Sequence, residues 1–263
     1  MKHYGDFCYK TDIGQKRKVN EDHATIVTNA HGDVLLAVCD GMGGHQKGDV
    51  ASQETILKLM QAFKKKSRFF SVNQAKKWLE KTIRSINEDI FNAEKDVPYS
   101  SHMATTLVAC LLLSSSLIFV NVGDSRAYTL RIRKDDDAVT LDQVTSDETI
   151  ADYLVNIGRI HKEEREHYKS RHILTNAIGL FPSVRMDMKV LPFHVNKGKE
   201  HHFSIYSIFL CSDGLFSMVS REEILAVLTS NEEVEAKVDT LIAMANQNGG
   251  DDNIAIALWE DIH

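Results

Sequence analysis

Four apolar segments of the chain are each joined to an aspartate in a turn of small residues. They read "LLAVCDGMGG", "FVNVGDSRAY", "FLCSDGLFS" and "NGGDDNIAIAL". Continuous apolar runs of this length predict strands that are covered on both faces. A carboxylate beside a buried strand is unfavourable unless a positive group meets it. The fold must therefore cover these strands from both sides and compensate the charge at their ends.

The aspartates in these turns are Asp40, Asp124, Asp213 and one or both of Asp251 and Asp252. Each alone is typical of a hairpin or helix-entry turn, since Asp-Gly is a turn dipeptide and Asp is a good N-cap. If the strand ends converge, the carboxylates repel one another unless divalent cations lie between them. Oxygen ligands favour Mg²⁺ or Mn²⁺ over zinc, and glycines let backbone carbonyl groups approach an ion closely.

Other motifs that these residues could form have the wrong spacing. The third glycine of a dinucleotide fingerprint would fall on Gln46, and Lys47 precedes Gly48 where a P-loop needs Gly-Lys-Ser/Thr. The segment "KDDDAVTLDQV" lacks the glycine and the terminal glutamate of a calcium loop. We predict a polar hairpin turn there.

Composition excludes some partners. The net charge of −6 gives no basic surface for nucleic acid or an anionic membrane, and we expect neither as a partner. No run approaches a membrane span, and the N-terminus has no apolar signal core. The cysteines form no C-x-x-C pair, and Cys39, Cys110 and Cys211 lie in apolar runs. Buried free thiols in a cytoplasmic protein are therefore expected.

The chain predicts a single domain over residues 1–263, because no linker, repeat or low-complexity tract interrupts it. Helical spacing of apolar residues predicts a helix from Ser71 to about Lys95, and further helices follow "HQKGDVAS", "SREEI" and "SNEEV". Three pairs with capping-box spacing mark helix starts: Ser71 with Gln74, Ser220 with Glu223 and Ser230 with Glu233. The predicted strands are 23–29, 33–40, 104–113, 116–122, 125–131, 185–193, 203–212 and 253–259. This order of elements indicates an α+β fold in which helices cover two-sided sheets.

Residues from about 145 to 182 differ from the rest. They predict short helices around a strongly charged centre, "HKEEREHYKSRH". Such a charge run favours a solvated surface subdomain, and a mobile flap beside an active site is compatible with it.

Six blocks in chain order carry a family resemblance. They are "RKVNED" (17–22), "DGMGGH" (40–45), "ATTLVACLL" (104–112), "NVGDSRAY" (121–128), "CSDGL" (211–215) and "GGDDNIAI" (249–256). From about residue 11 to 259 the chain resembles the protein phosphatase 2C family of metal-dependent serine/threonine phosphatases, in its compact bacterial form. The resemblance implies a four-layer αββα sandwich, in which two antiparallel β-sheets are flanked by helix pairs, with a small flap subdomain.

The resemblance also implies a site for two Mn²⁺ or Mg²⁺ ions at one end of the sandwich. In this chain Asp40 would bridge both ions and the Gly41 carbonyl would bind one of them. Asp213 and Asp252 would hold the other. The remaining implied contacts are Glu21 and Asp22, which act directly or through water, and Asp124 at a third, weaker site.

Three residues are expected to take part in catalysis. Asp40 would hold the ions whose bridging hydroxide attacks phosphorus directly, with no phosphoenzyme. Arg17 matches the arginine that grips the substrate phosphate. His45 could protonate the leaving oxygen, but it lies further along the loop than the histidine of eukaryotic relatives, whose position Met42 occupies. A role of His45 in stabilising the loop is the alternative.

The resemblance predicts a cytoplasmic, monomeric phosphatase that acts on phosphorylated proteins and opposes a serine/threonine kinase. Three departures from the family pattern favour an alternative, a catalytically silent member that binds phosphoproteins as a regulator. Glu148 stands where bacterial relatives usually carry histidine, Asn176 where arginine is usual, and Ser217 where an acid or amide is common. A hydrolase for small phosphate compounds is a third possibility.

Overall fold

The computed structural model describes residues 5–43, 47–94, 102–133, 138–193 and 203–261. The strands are β1 Gly5–Asp12, β2 Asp22–Thr28, β3 Val34–Met42, β4 Ala104–Thr105, β5 Leu107–Leu113, β6 Ser116–Val122, β7 Arg126–Arg133, β8 Val139–Gln143, β9 Asp187–Pro192, β10 Phe203–Cys211 and β11 Ile254–Asp261. The helices are α1 Lys47–Lys65, α2 Val72–Ala93, α3 Ile150–Asn156, α4 Asp213–Phe216, α5 Arg221–Leu228 and α6 Val234–Gln247, with a 3₁₀ helix at Lys162–His167.

The strands form two antiparallel sheets. One has the order β1-β11-β10-β7-β8, and the other has the order β2-β3-β5-β6-β9 with the short β4 paired to the end of β3. In the second sheet β2 pairs with β3 so that Asp22 stands opposite Asp40. This register places two predicted metal ligands side by side at one sheet end.

Strand β3 explains the layering. Its residues Leu35, Ala37 and Cys39 lie in the core that α1 and α2 cover, whereas Leu36 and Val38 lie in the core between the sheets. Successive strand residues point to opposite faces, so a strand buried on both faces must be apolar throughout. The prediction that "LLAVC" is covered on both sides is therefore confirmed.

Strand β11 does the same for the first sheet. Ala255 and Ala257 face the core between the sheets, and Ile254, Ile256 and Leu258 pack in the core that α4, α5 and α6 cover. The result is two helical layers outside two sheets. The predicted α+β class and αββα sandwich are confirmed.

Two strands were missing from the prediction. β1 (Gly5–Asp12) is an edge strand with exposed Phe7 and Tyr9, so it lacks an apolar run. β8 (Val139–Gln143) lies inside the segment predicted as a polar turn and pairs with β7. Residues 134–137, which lie between β7 and β8 in the sequence, are outside the described residues.

Helix starts agree with the prediction at two of three places. The Ser71 side chain accepts a hydrogen bond from the Gln74 backbone, and Ser220 forms a complete capping box with Glu223. Ser230 was predicted wrongly as an N-cap: helix α6 begins one turn later, with Glu233 as its N-cap and no side-chain cap.

Residues 145–182 contain α3 and the 3₁₀ helix, which agrees with the predicted short helices. Their charges are partly paired: Arg165 contacts Asp147 at 2.8 Å and Asp152 at 2.5 Å. The division of the chain into one domain with this flap segment stays a prediction.

The four cysteines are free thiols, and Cys39, Cys110 and Cys211 are buried as predicted. No helix within the described ranges combines the length and the apolar character that crossing a membrane requires.

Candidate metal centre

A cleft of about 640 Å³ opens where the ends of both sheets meet, and we call it the carboxylate cleft. β3 and the turn after β6 bring Asp40 and Asp124 to it from the second sheet. The first sheet contributes Asp213, directly after β10, and Asp252, just before β11. Four strand-linked aspartates therefore line one cleft. The cleft is also lined by Arg17, Glu21 and Gly41, and Asp22 is buried beside Asp40.

Burial and mutual repulsion dominate the electrostatics of this cleft. Burial, followed by the charges of neighbouring aspartates, raises the pKa of Asp40 well above its ordinary value. The pKa of Asp22 is raised in the same way, also first by burial, and the Asp40 side chain is near enough to affect the pKa of both Asp22 and Asp213. Burial, with Asp213 and Asp147 nearby, raises the pKa of Asp124 to about 8. Carboxylates this crowded need either protons or cations between them.

The residues present fit divalent ions in the chemistry of their donors. Oδ2 of Asp22 and Oδ1 of Asp213 are buried and have no hydrogen-bond partner, which is unfavourable for a carboxyl oxygen. The donors around them are oxygen atoms, the ligands that Mg²⁺ and Mn²⁺ prefer. Among the described residues, however, no three His, Cys, Asp or Glu side chains already form a closed set around one point. Asp252 pairs with Arg17 through its Oδ2 atom at 2.6 Å.

Gly41 lies where only glycine fits. A Cβ atom there would lie 2.2 Å from the Gly48 carbonyl oxygen and 2.5 Å from that of Glu21. The Gly41 N–H donates to the Glu21 carbonyl at 3.1 Å. This close packing joins β3, the start of α1 and the loop before β2, and it fixes the backbone next to Asp40.

Glu21 is held at the start of α1. Its carboxyl group accepts hydrogen bonds from the backbone of Gly48 and Asp49, and burial is the main cause that raises its pKa. Its carbonyl oxygen accepts from the Ser52 hydroxyl at 2.5 Å. The first backbone N–H groups of α1 therefore hold the Glu21 carboxylate at the wall of the cleft.

Arg17 stands at the mouth of the cleft. Its Nη2 donates to Oδ2 of Asp252 at 2.6 Å, and about half of its side chain is exposed to solvent. A guanidinium in this position has further N–H donors for an incoming anion. His45, predicted as either a general acid or a loop-stabilising residue, lies outside the described residues.

Asn253 is a site residue that the sequence reasoning missed. Its Oδ1 accepts from the Glu21 N–H at 2.9 Å, and its Nδ2 donates to the carbonyls of Ile13 at 2.8 Å and Val19 at 3.0 Å. The amide thus ties the loop of Arg17 to the start of β11, where Asp252 lies. Its place after two aspartates in "GGDDN" was the available signal.

Hydroxyl groups hold the backbone of Asp40. The Asp40 N–H donates to Oγ1 of Thr106 at 2.9 Å, and Oγ1 of Thr105 donates to the Asp40 carbonyl at 2.9 Å. Thr106 and Ser125 hydroxyls are 2.7 Å apart. These hydroxyl groups therefore fix the backbone on both sides of the Asp40 side chain.

Two departures from the family pattern contact each other. Oε2 of Glu148 accepts from Nδ2 of Asn176 at 2.7 Å and from the Gly123 N–H at 2.9 Å. The Glu148 N–H donates to the Gly123 carbonyl at 3.1 Å, so Glu148 fixes the turn before Asp124 from both sides. The third departure, Ser217, donates to the Asp213 carbonyl at 2.6 Å.

Comparison with known proteins gives a consistent result. The family profile described as protein phosphatase 2C matches residues 14–258. A serine/threonine phosphatase stp of Listeria monocytogenes is 35% identical over 253 residues, which cover 96% of this chain and 94% of the relative. Protein phosphatase PhpP of Streptococcus pneumoniae is 30% identical and covers 94% of each chain.

Solved structures show the same likeness. The crystal structure of serine/threonine phosphatase Stp1 from Staphylococcus aureus superposes with a TM-score of 0.86 at 30% identity, over 100% of this chain and 97% of that one. The catalytic domain of serine threonine protein phosphatase PstP, in complex with two manganese ions, superposes with a TM-score of 0.75 at 31% identity, over 98% and 99% of the chains.

Proposed function

The chain belongs to the protein phosphatase 2C family and is a serine/threonine phosphatase of that kind, and we propose that it dephosphorylates proteins by direct attack of water on phosphorus. The observation that carries this mechanism is the convergence of Asp40, Asp124, Asp213 and Asp252 on one cleft with Arg17 at its mouth. The proposed mechanism requires no nucleophilic side chain, because the attacking group is water.

We propose that two Mn²⁺ or Mg²⁺ ions bind between Asp40, the Gly41 carbonyl, Asp213 and Asp252. Glu21 and Asp22 would contribute directly or through water, and Asp124 would hold a third, weaker ion. The unpartnered oxygens of Asp22 and Asp213 and the all-oxygen donor set support this assignment. Bound ions of this kind lower the pKa of water and neutralise charge on phosphate oxygens.

The residues of the chain have distinct parts in this proposal. Arg17 binds the equatorial phosphate oxygens through its guanidinium fork, since Asp252 occupies only one of its N–H groups. Asn253 and the Thr106 hydroxyl hold the backbone of Glu21 and Asp40 in place for this task. His45 stays a candidate for protonating the leaving oxygen or for stabilising the loop.

We further propose that the enzyme is a cytoplasmic monomer that opposes a serine/threonine kinase. The buried, unpaired thiols of Cys39, Cys110 and Cys211 support a reducing compartment. The alternative of a silent regulator loses support, because Glu148 and Asn176 satisfy each other by a hydrogen bond and leave the acidic residues of the cleft intact.

Hydrolysis of a phosphothreonine peptide tests the proposal. With Mn²⁺ we expect turnover that EDTA abolishes and that Asp40→Ala removes. An Asp33→Ala variant, altered in a buried loop carboxylate that pairs with Asn29 away from the cleft, is the control for a general loss of structure. Undiminished turnover in Asp40→Ala would overturn the mechanism.

A further inference from the structure

A second cavity of about 440 Å³ adjoins the carboxylate cleft, and we call it the flap cavity. Both are lined by Asp124, Asp213 and Ser217 and by the flap residues Arg171 and His172. The flap cavity extends from these shared residues toward Arg126, Arg165 and His167. A molecule that reaches into the carboxylate cleft can therefore continue into the flap cavity.

The deep wall of the flap cavity is electrically balanced. Asp147 is buried and accepts from Arg126 and Arg165 at 2.7 and 2.8 Å. Arg165 also pairs with Asp152, and the Arg126 guanidinium lies 3.6 Å above the ring of Phe216. Two arginines thus pair with two aspartates, so the charges of this wall cancel.

The rim is not balanced. It consists of His167, Arg171 and His172, which come from one short stretch of the flap and are exposed. None of the three takes part in an ion pair with any residue that the structure describes. His172 lines both cavities together with Asp213, whose pKa is raised by burial, and the nearby His172 only opposes that rise. Ions bound in the neighbouring cleft would neutralise the shared carboxylates of Asp124 and Asp213, and would leave the Arg171 guanidinium and the imidazole N–H groups available to another anion.

We propose that the flap cavity binds an anionic group of the substrate that flanks the phosphorylated residue. The inference rests on the proposed phosphatase function. A carboxylate of Asp or Glu and a second phosphate share the required chemistry, because imidazole and guanidinium donors bind both. The enzyme would thus prefer phosphorylated segments that are acidic or multiply phosphorylated.

Binding of peptides that cannot be hydrolysed tests this preference. Three phosphonate peptides of one sequence carry alanine, glutamate or a second phosphonate beside the phosphoserine analogue, and each is titrated in the presence of Mn²⁺. We expect about threefold to tenfold tighter binding of the anionic peptides, as a few exposed ion pairs provide, and a smaller ratio at high salt. Which of the two anionic peptides gains more identifies the source of the anion.

Variants locate the effect. The triple variant His167→Gln, Arg171→Gln and His172→Gln keeps polar side chains of related length and should bind the three peptides equally. Lys169→Gln is the matched control, because Lys169 is exposed in the same stretch but lines neither cavity, and it should keep the wild-type ratio. Equal binding of neutral and anionic peptides by the wild type, or an unchanged ratio in the triple variant, would overturn the inference.

The outcome does not depend on turnover. Hydrolysis of p-nitrophenyl phosphate with Mn²⁺, measured in parallel, reports on the carboxylate cleft without any flanking group. Absence of this hydrolysis in the wild type would contradict the proposed function. The inference about the flap cavity would then still be tested by the ratio of the peptide affinities. Normal hydrolysis without a preference for anionic peptides would contradict only the inference about the flap cavity.

Discussion

Asp251 and Asp252 are neighbours in the sequence and have different surroundings. Asp252 accepts from Arg17 through Oδ2 and from the Asn253 N–H through Oδ1, so both of its carboxylate oxygens have donors. Asp251 is well exposed and pairs only loosely with Lys16, at 3.3 Å. The turn pattern alone left open which of the two is a ligand, the family resemblance implied Asp252, and this difference in surroundings also favours Asp252.

Replacing each by asparagine separates their roles. We expect Asp252→Asn to weaken Mn²⁺ binding at least about tenfold, because even partners that only orient a ligand are worth that much. Asp251→Asn, the matched control, should change the affinity far less. Calorimetric titration of Mn²⁺ measures both, and equal losses in the two variants would contradict the assignment.

Asn253 offers a test of stability at the same site. Its Nδ2 faces two backbone carbonyl groups, so in Asn253→Asp a carboxylate oxygen would replace the donor and repel both of them. We expect the free energy of unfolding to fall by about 2–4 kcal/mol, as when buried polar groups lose their partners. Asn248→Asp, whose Nδ2 reaches only the exposed Met218 carbonyl, is the control and should lose less. Urea denaturation in EDTA measures both, and a loss no larger than that of the control would contradict this reading of Asn253.

Helix starts show how element boundaries depend on single side chains. Ser220 caps α5 through its hydroxyl and the Glu223 side chain, whereas Ser230, with the same spacing to Glu233, caps no helix. We expect Ser220→Ala to lower the free energy of unfolding by about 1 kcal/mol and Ser230→Ala to change it by less than about 0.5 kcal/mol. Chemical denaturation measures both, and similar values for the two variants would contradict the assigned helix start.

The elements that could be predicted are those whose apolar residues form a continuous run or follow a regular spacing. β3, β5 and β6 are apolar on both faces, and α2 has apolar residues at helical spacing. β1 was not predicted, because an edge strand with one face exposed to solvent has no continuous apolar run. In the same way, the family blocks located the acidic residues but not the contact between Glu148 and Asn176, since only the folded chain brings these two together.

Contacts across the whole chain build the cleft. The Arg17–Asp252 and Asn253–Glu21 contacts join residues that are more than two hundred positions apart. Asp40 and Asp124 come from one sheet, and Asp213 and Asp252 come from the other. The cleft therefore forms only when the two sheets are stacked. Burial of the apolar cores on both faces of the sheets offsets the repulsion between the carboxylates.

This repulsion predicts how the metal-free protein responds to pH. The pKa of Asp124 is raised to about 8 in the folded state, against about 3.9 in the unfolded chain. Between these values the folded state binds more protons than the unfolded state, so stability falls as pH rises. The contribution of Asp124 is complete below its unfolded pKa and is lost as the pH approaches 8. Asp22 and Asp40, whose pKa values are also raised, add to the same slope.

Thermal unfolding in EDTA between pH 5 and 8 tests this slope. We expect the wild-type Tm to fall with pH, and the fall to be smaller by a few degrees in Asp124→Asn, because about 1 kcal/mol shifts the Tm of a chain this size by roughly 2–4 °C. Saturating Mn²⁺ should raise the Tm most at the upper end of the range, since cations replace the protons that the carboxyl groups lose there. Calorimetry in buffers of different ionisation enthalpy should then detect proton release on Mn²⁺ binding. A Tm that is independent of pH in EDTA, with the same profile in Asp124→Asn, would mean that these carboxyl groups are ionised and compensated in the metal-free fold.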